Sequence, residues 1–348
     1  MSRFWSDVVH GLTPYVPGEQ RSGLVKLNTN ENPLGPSPRA LAAIREAAAD
    51  SLRLYPDPES TGLLRTLARY HDVAESQVFV GNGSDEVLAH AFAGLLRHDR
   101  PLLFPDVTYS FYPVYCRLFS VAYETIPLDD AMRVRADDYR RDCGAIIVAN
   151  PNAPTGIALG LDDIAALLDS HPEQPVVIDE AYVDFGAETA IPLIARHPNL
   201  LVTRSMSKSR ALAGLRVGYA IGHAGLIEGL SRVKNSFNSY PLGRLAQAGA
   251  IASVEDEDWF QHSRRTVMDN RARLCAGLER LGVALLPSHA NFVLARHPRL
   301  DGASFAAALR ARGILVRHFA APRTAPYVRI SIGSAADCDA LLSSVPAS

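Results

Sequence analysis

Hydrophobic residues in the first two thirds of the chain form short runs that alternate with longer amphipathic stretches. A short apolar run bounded by turn residues is typical of a strand buried on both faces. The predicted strands are 78–80, 102–104, 121–126, 145–149, 176–179, 200–204 and 217–221. Such strands, separated by helices, form a parallel sheet with helices on both faces. The pattern therefore predicts an α/β fold with a mostly parallel sheet.

The stretches between these strands have the periodicity of helices. The predicted helices are 39–50, 60–71, 81–96 and 108–118. The first follows Ser37 and Pro38, a pairing of an N-cap residue with a proline that suits the first helical turn.

The pattern changes near residue 243, where long helical stretches over 244–283 replace the alternation. Short strands at 285–286, 291–294, 314–316 and 327–332 and helices at 303–312 and 335–345 follow. We predict an N-terminal arm over 1–38, irregular because it is rich in Pro, Gly and Asn. A large domain over 39–242 and a smaller α+β domain over 243–348 complete the chain, although helix 39–50 could belong to the small domain.

Composition narrows the class of protein. The chain has 348 residues, 47% of them apolar, which is enough for a sizeable core. The net charge of -2 offers no electrostatic argument for nucleic acid, and no run is long enough for a membrane span. Four scattered cysteines without a C-x-x-C motif indicate a reducing compartment. With no apolar core of signal-peptide length near the start, we expect a cytoplasmic protein.

Polar side chains follow several of the predicted strands directly. Asn152, Asp179 and Lys208 each come just after an apolar run. In open α/β sheets, ligands bind outside the carboxyl ends of the strands. Taken singly, Asp179 could be a helix cap, Asn152 a turn residue between prolines, and Lys208 a solvated surface lysine.

Serine and glycine groups near two strand ends predict a phosphate site. A helix N-terminus attracts phosphate because its first N–H groups are free and its dipole is positive there. Arg216 adds a fork of donors. The residues predicted to share this task are Gly83, Ser84, Asp85, Ser205, Ser207 and Arg216. Taken alone, the Gly-Ser stretch would be an ordinary helix cap.

The other strand-end residues suit an aromatic ring that carries an aldehyde. Asp179 can keep a pyridine nitrogen protonated, and Asn152 and Tyr182 can hydrogen-bond a ring hydroxyl. Lys208 can form an imine with an aldehyde. Phosphate, pyridinium, phenolic oxygen and aldehyde together describe pyridoxal 5'-phosphate, so we predict this cofactor and no metal.

Two tyrosines are further candidates. Tyr109 could stack on the face of the ring, or equally be a core aromatic. Tyr55 lies in a turn too polar for the core (LYPDPES) and could reach a phosphate, including one in a partner subunit.

The motifs that contain these residues resemble those of a known family. Over nearly its whole length the chain resembles the fold-type I pyridoxal-phosphate aminotransferases, and among them the histidinol-phosphate aminotransferase branch. The matching motifs are PYVPG (14–18), KLNTNENPLGPSP (26–38), YPD (55–57), VGNGSDEVL (80–88), NPNAPTG (150–156), VIDEAYVDF (177–185), RSMSK (204–208), LAGLRVGY (212–219) and YVRISIG (327–333). The arm motif and GNGSDE are the more specific to this branch.

The resemblance implies an aspartate-aminotransferase-like architecture. The large domain would contain a mostly parallel seven-stranded sheet sandwiched by helices, and a smaller α+β domain would be built from both termini. The protein would be a homodimer with shared active sites. Its implied activity is transamination of histidinol phosphate with 2-oxoglutarate, which gives imidazole-acetol phosphate and glutamate in histidine biosynthesis.

The resemblance also assigns roles to residues. Lys208, Asp179 and Tyr182 would be catalytic, and Tyr55 would reach in from the other subunit. The implied cofactor-binding residues are Gly83, Ser84, Asp85, Tyr109, Asn152, Asp179, Tyr182, Ser205, Ser207, Lys208, Arg216 and Tyr55. The implied substrate-binding residues are Arg329, which clamps an anionic end, with Arg317, Tyr15 and Asn30.

Three positions depart from the family pattern. Ala153 stands where Asn is usual, and Arg210 adds a charge close to the cofactor lysine. The chain after Gly333 reads SAADCDALL instead of Thr followed by a Glu-Asn pair, which weakens the substrate assignment more than the reaction class.

Other functions remain open from the sequence. An aromatic amino-acid aminotransferase or a phospho-amino-acid decarboxylase would carry the same cofactor motifs. A sensing domain of a transcription regulator is disfavoured, since no helix-turn-helix segment precedes the arm. A dehydrogenase is disfavoured because no G-x-G-x-x-G follows a strand.

Overall fold

The computed structural model describes residues 2–347 of the chain. Within them the strands are β1 Val25–Leu27, β2 Val78–Asn82, β3 Leu102–Pro105, β4 Tyr123–Ile126, β5 Ala145–Ala149, β6 Val176–Asp179, β7 Leu200–Ser205, β8 Val217–Gly222, β9 Ala284–Leu285, β10 Phe292–Arg296, β11 Ile314–His318 and β12 Val328–Ser331. The helices are α1 Asp7–Gly11, α2 Pro38–Ala47, α3 Thr61–His71, α4 Gly83–Gly94, α5 Tyr112–Phe119, α6 Leu161–Asp169, α7 Ala224–Phe237, α8 Arg244–Glu255, α9 Glu257–Arg280, α10 Gly302–Ala311 and α11 Ala335–Ser344.

The larger sheet has seven strands in the order β2-β8-β7-β6-β5-β3-β4. All neighbours from β7 to β4 are parallel, and β8 alone is antiparallel to its neighbours β2 and β7. The prediction of a mostly parallel sheet is confirmed.

Helices cover both faces of this sheet, which explains the continuous apolar runs. All five residues of β5 are buried. Ile146 and Val148 belong to a core cluster on one face, whereas Ala145 and Ile147 belong to the cluster on the other. Because successive side chains of a strand point to opposite faces, a strand covered on both sides must be apolar at every position.

The smaller sheet has the order β1-β11-β12-β10-β9. Its strands β9 to β12 come from the C-terminal part of the chain, and β1 comes from the arm and pairs in parallel with β11. The prediction of an irregular arm is therefore wrong for Val25–Leu27. Three residues are too few to show strand periodicity, and their pairing partner lies almost 300 residues away in the sequence.

Several helix predictions need correction. Helices α6 and α7 were not predicted, and the long helical stretch breaks at Asp256, whose Oδ2 accepts a hydrogen bond of 2.5 Å from Ser37 Oγ. The helix predicted at 108–118 begins only at Tyr112. Pro113 explains this start, because proline fits the first turn of a helix but disrupts its interior. Residues 108–110, which therefore stay outside the helix, form part of the cavity wall described below.

Helices α2 and α8 pack against each other. Ala246, Ala250 and Val254 of α8 belong to the core cluster of the larger sheet. The domain limits at residues 38 and 242 stay predictions.

Candidate active site

A cavity of about 250 Å³ lies at the carboxyl ends of β5, β6 and β7, which reach it through Ala149, Asp179 and Ser205. The arm and the smaller sheet close its other side. The predicted site residues that line it are Tyr15, Asn30, Ser84, Asp85, Tyr109, Asp179, Tyr182, Ser205, Ser207, Lys208, Arg216, Arg317 and Arg329. Residues more than 300 positions apart in the sequence, such as Tyr15 and Arg329, thus meet in one cavity at the strand ends.

Lys208 is half-buried and only weakly engaged. Its Nζ lies 3.5 Å from the backbone oxygen of Thr29, and among residues 2–347 it has no carboxylate within ion-pair distance. The backbone around it is held firmly: Asn32 Nδ2 donates to Lys208 O at 3.0 Å, and Ser209 Oγ donates to Asp184 Oδ2 at 2.5 Å. A fixed backbone that carries an amine without an ion pair suits a nucleophile.

A buried ionic cluster anchors this loop from below. Arg204, the residue before Ser205 on β7, is 6% exposed and donates to Glu180 Oε2 at 3.1 Å and to Asp184. Burial opposes the charge of Arg204, but Asp184 and Glu180 outweigh it, so its pKa lies above the ordinary value. The cluster supports the loop because a paired and hydrogen-bonded buried charge is rigid and costly to break.

Asp179 is the buried carboxylate of the cavity. Tyr112 OH donates to its Oδ2 at 2.9 Å and Thr203 Oγ1 to its Oδ1 at 3.2 Å. Burial raises the pKa of the Asp179 carboxyl to about 6, although both hydrogen bonds act in the opposite direction. A cationic partner would strongly stabilise the ionised form of a carboxylate that is buried in this way.

Tyr112 and Thr203 were not predicted. Thr203 could have been found, because it is the register partner of Asp179 in the parallel pair β6–β7. Tyr112 gave no such signal, since it comes from α5, which the larger sheet's packing places beside Asp179.

Arg216 lies over the N-terminus of α4, as the phosphate prediction requires. Its Nη2 contacts Asp85 Oδ2 at 2.8 Å, while the side chains of both residues remain partly exposed. Its backbone has φ +54°, a left-handed conformation that is uncommon for a residue with a side chain. Such strain is typical of positions where a side chain must be aimed.

Two glycines allow this close approach. A Cβ on Gly83, which has φ +77°, would lie 2.4 Å from Arg216 Nη2. A Cβ on Gly218 would lie 2.3 Å from the backbone nitrogen of Ser84. Only glycine therefore lets the helix N-terminus, β8 and the Arg216 guanidinium meet.

Arg329 forms the opposite wall. Its Nη2 donates to Asn28 O at 3.1 Å, but its buried Nε has no hydrogen-bond partner in the described residues. Burial lowers the pKa of its guanidinium below the ordinary value. Arg317 donates to two backbone oxygens of the arm, those of Val16 and Pro17. A partly buried guanidinium with a free N–H group is suited to bind an anion.

Tyr15, Asn30 and Tyr182 lie on the same side of the cavity. Asn30 Nδ2 donates to Tyr182 OH at 3.0 Å, and Ser331 Oγ donates to Asn30 Oδ1 at 2.8 Å. The ring of Tyr15 packs on Phe111 with centroids 5.1 Å apart. The arm thus positions Tyr182 as well as enclosing the cavity.

Tyr109 has its hydroxyl 3.2 Å from Asp85 Oδ1 and its ring perpendicular to that of Tyr112. Three predicted residues do not line the cavity. Gly83 lies directly beside the Arg216 guanidinium. Asn152 lies behind the cavity wall, and its buried Oδ1 has no hydrogen-bond partner in the described residues. Tyr55 is 78% exposed and stacks on Tyr240. The roles of these three residues, like those of the residues that line the cavity, stay predictions.

Two of the three departures from the family pattern, Arg210 and the segment after Gly333, are accommodated outside the cavity, whereas Ala153 is among the residues that line it. Arg210 points away from the cavity: its Nη1 donates to Ser253 O at 2.6 Å, and its guanidinium lies 3.7 Å from the centroid of Phe260. After Gly333, Ser334 and Asp337 form a capping box that starts α11. Neither change places a new charge in the cavity.

Residues 2–347 contain neither a metal-binding cluster nor a membrane-spanning helix. No cluster of three or more His, Cys, Asp or Glu side chains is placed to hold a metal ion. No described helix has both the length and the hydropathy needed to cross a bilayer.

Comparison with known proteins identifies the family. Residues 22–345 match the family described as aminotransferase class I and II. The chain is 62% identical over 343 residues to the histidinol-phosphate aminotransferase of Gluconacetobacter diazotrophicus, covering 98% of this chain and 96% of that protein. It is 63% identical over 344 residues to histidinol-phosphate aminotransferase 1 of Bradyrhizobium diazoefficiens, covering 98% of each.

A solved structure agrees with this match along the whole chain. The histidinol-phosphate aminotransferase from Sinorhizobium meliloti in complex with pyridoxal-5'-phosphate superposes with a TM-score of 0.88 at 26% identity, over 99% of this chain and 96% of that one. The chain therefore belongs to the class I and II aminotransferases, in the branch that contains the histidinol-phosphate aminotransferases.

Proposed function

We propose that the protein uses pyridoxal 5'-phosphate to transaminate histidinol phosphate with 2-oxoglutarate, giving imidazole-acetol phosphate and glutamate. One observation carries the proposal. A single cavity holds a lysine without an ion pair, Lys208, with the buried carboxylate of Asp179 on one side and Arg329, whose buried Nε lacks a hydrogen-bond partner in the described residues, on the other.

The residues of the cavity fit this cofactor. Ser205, Ser207, Arg216 and the N-terminus of α4 would hold its phosphate, and the carboxylate of Asp179 would pair with its ring nitrogen. The orphaned Oδ1 of Asn152 offers a polar group behind the wall. When bound, pyridoxal phosphate supplies an aldehyde for Lys208 and a ring that withdraws electrons from the substrate carbon.

Lys208 then moves the proton. With pyridoxal phosphate bound, its amine would be the general base that takes a proton from the substrate carbon and the acid that delivers this proton to the carbon of the cofactor's aldehyde group, so that the amino group can leave the substrate. Asp179 is mostly ionised near neutral pH, since its pKa is about 6. It would therefore keep the ring nitrogen of a bound pyridoxal phosphate protonated, which would strengthen electron withdrawal by the ring.

The opposite wall selects the anionic end of the substrate. Arg329 can bind a phosphate or a carboxylate, so the same wall serves histidinol phosphate and the 2-oxo acid in turn. Rates with histidinol phosphate and with phenylalanine, each with 2-oxoglutarate, test the substrate. Faster turnover of phenylalanine would favour the aromatic aminotransferase, and CO₂ release from a phosphorylated amino acid would favour the decarboxylase.

Lys208→Ala tests the chemistry, and Lys208→Arg is its matched control because it keeps the charge. Both variants should lose transamination, since neither can form an imine with the aldehyde or exchange the proton. Borohydride reduction of wild type with pyridoxal phosphate should label the peptide that contains residue 208, as read by mass spectrometry. Normal rates in either variant, or a label elsewhere, contradict the assignment.

We also propose that the protein is a cytoplasmic homodimer. Tyr55 and Phe237 are 78% and 79% exposed, and Tyr55 could reach a phosphate only in another subunit. The free cysteines Cys116, Cys143 and Cys338 are buried, which fits a reducing compartment. Light scattering tests the dimer. Mixing Lys208→Ala with a Tyr55→Ala variant should restore part of the activity if sites are shared, because one hybrid site keeps both residues.

A further inference from the structure

Two arginines that line the cavity, Arg317 and Arg329, lie opposite each other in the hairpin formed by β11 and β12. Arg317 on β11 and Arg329 on β12 are register partners in an antiparallel pair. Like charges directly opposite each other destabilise a sheet, so the hairpin needs other contacts to hold them. Its connecting loop is 319–327, and Phe319, the first residue of that loop, lines the cavity.

Phe319 lies against both arginines. The distance from its ring centroid to the guanidinium carbon is 5.6 Å for Arg317 and 5.4 Å for Arg329. Arg329 also lies 5.3 Å from the ring of Phe292. Cations within about 6 Å of a ring face are attracted to it. The position of Phe319 therefore helps to determine where both guanidinium groups point.

The tip of the same loop is fastened to the larger sheet by Arg323. Its Nη1 donates to Asp106 Oδ2 at 3.0 Å and to Leu128 O at 2.9 Å, and its Nη2 donates to Asp129 O at 2.7 Å. Both side chains of the ion pair are partly buried, with exposures of 31% and 25%. Hydrogen bonds from a charged guanidinium are stronger than those between neutral groups, and partial burial reduces their screening by salt.

Hydrogen bonds within the loop connect Phe319 with the residues that follow Arg323, since Thr324 Oγ1 lies 3.5 Å from Phe319 O. Thr324 is buried and its Oγ1 donates to Ala321 O at 3.1 Å. Ala325 O accepts hydrogen bonds from His318 Nε2 at 3.0 Å and from the backbone nitrogen of Gly302 at 3.2 Å. On the other side of the contact, Asp106 begins the segment that carries the cavity residues Thr108 and Tyr109.

We propose that Arg323 is a positioning residue for the anionic end of the amino substrate. It fastens the hairpin loop to Asp106 and to the 128–129 backbone, so that Phe319 holds Arg317 and Arg329 in place. Arg323 itself lies outside the cavity lining. The identity of the anion as a phosphate rests on the proposed function.

The test is calorimetric titration of the holoenzyme with inorganic phosphate, together with steady-state kinetics. Arg323→Gln should raise the Kd for phosphate about tenfold, and raise KM for histidinol phosphate similarly, with kcat changed by less than about twofold. Arg323→Lys should lie in between, because lysine keeps the charge but not the fork of donors. Arg273→Gln, which removes an exposed ion pair to Asp339 between α9 and α11, is the matched control and should change neither value.

Asp106→Asn provides a second route if Arg323→Gln folds poorly. Asparagine keeps an acceptor for the backbone nitrogen of Leu128 but loses the charge, so it should weaken phosphate binding in the same direction. Combining it with Arg323→Gln should add little, because the two residues form one contact.

Two results overturn the inference. One is an unchanged Kd for phosphate in the folded Arg323 and Asp106 variants, even if their melting temperatures fall. The other is a wild type that binds no phosphate. A wild type that binds phosphate in an Arg323-dependent way but does not turn over histidinol phosphate refutes the proposed substrate alone.

Discussion

The ionisation of Asp179 links the cavity to the stability of the apoprotein. Burial raises the pKa of its carboxyl to about 6, whereas an exposed aspartate titrates near about 4. The difference of about two units corresponds to about 3 kcal/mol of stability. Because the folded-state pKa is the higher one, this stability is present below about pH 4 and is lost as the pH rises through about 6.

Asp179→Asn removes this dependence, since an amide does not titrate. We expect the stability of the wild-type apoprotein, relative to that of the variant, to fall by about 1 kcal/mol between about pH 5 and about pH 7. Urea unfolding of both apoproteins at the two pH values measures the difference, and the comparison cancels other titrating groups. Tyr112→Phe should enlarge the effect, because it removes a hydrogen bond to the ionised carboxyl.

Unfolding in the presence of saturating pyridoxal phosphate tests whether the raised pKa of Asp179 causes the pH dependence of stability. A protonated ring nitrogen beside the carboxylate favours its charged form, so the pKa should fall and the pH dependence should shrink. A wild type and an Asp179→Asn variant with the same pH dependence as apoproteins would refute the reasoning. It would mean that Asp179 is solvated in the apoprotein and that its pKa is ordinary.

Three further substitutions test other parts of the structure. Gly83→Ala should lower the free energy of unfolding by about 1–2 kcal/mol, because the φ of +77° and the Arg216 guanidinium both oppose a Cβ. Gly214→Ala, where a Cβ meets nothing within 4 Å, is the control in thermal melts, and equal melting temperatures of the two variants would contradict the steric argument. Arg216→Leu should raise the Kd for pyridoxal phosphate about tenfold or more in a fluorescence titration, since it removes a charged fork of donors. An unchanged Kd would exclude Arg216 from the phosphate site. Ser334→Ala should lower the free energy of unfolding by about 1 kcal/mol through loss of the α11 cap and leave kcat/KM unaffected. A loss of activity at full stability would instead give this segment a role in catalysis.

Much of the larger sheet was readable from the sequence, and the reason is physical. A strand covered on both faces must be apolar throughout, so β5 and β6 appear as unbroken runs with nearly the observed limits. Each of these runs ends where the chain becomes polar, and parallel strands end on the same edge. Asp179 and Lys208 could therefore be placed near one another without coordinates.

The smaller sheet and the arm were less accessible. β1 is three residues long and exists because β11 offers a parallel partner. Tyr112 and Arg323 gave no local signal either, since each acts on a group that is distant in sequence, Asp179 in one case and Asp106 in the other.

The amino-acid sequence by itself determined the α/β class, the strand-end position of the chemical groups, and the resemblance that implied the reaction. These follow from burial and from backbone preferences, which act over a few residues. Only the tertiary structure decided which way Arg210 points, how far burial raises the pKa of Asp179, and which contacts hold Arg317 and Arg329 opposite each other. Those properties depend on desolvation and on distances between segments that meet only when both sheets are formed.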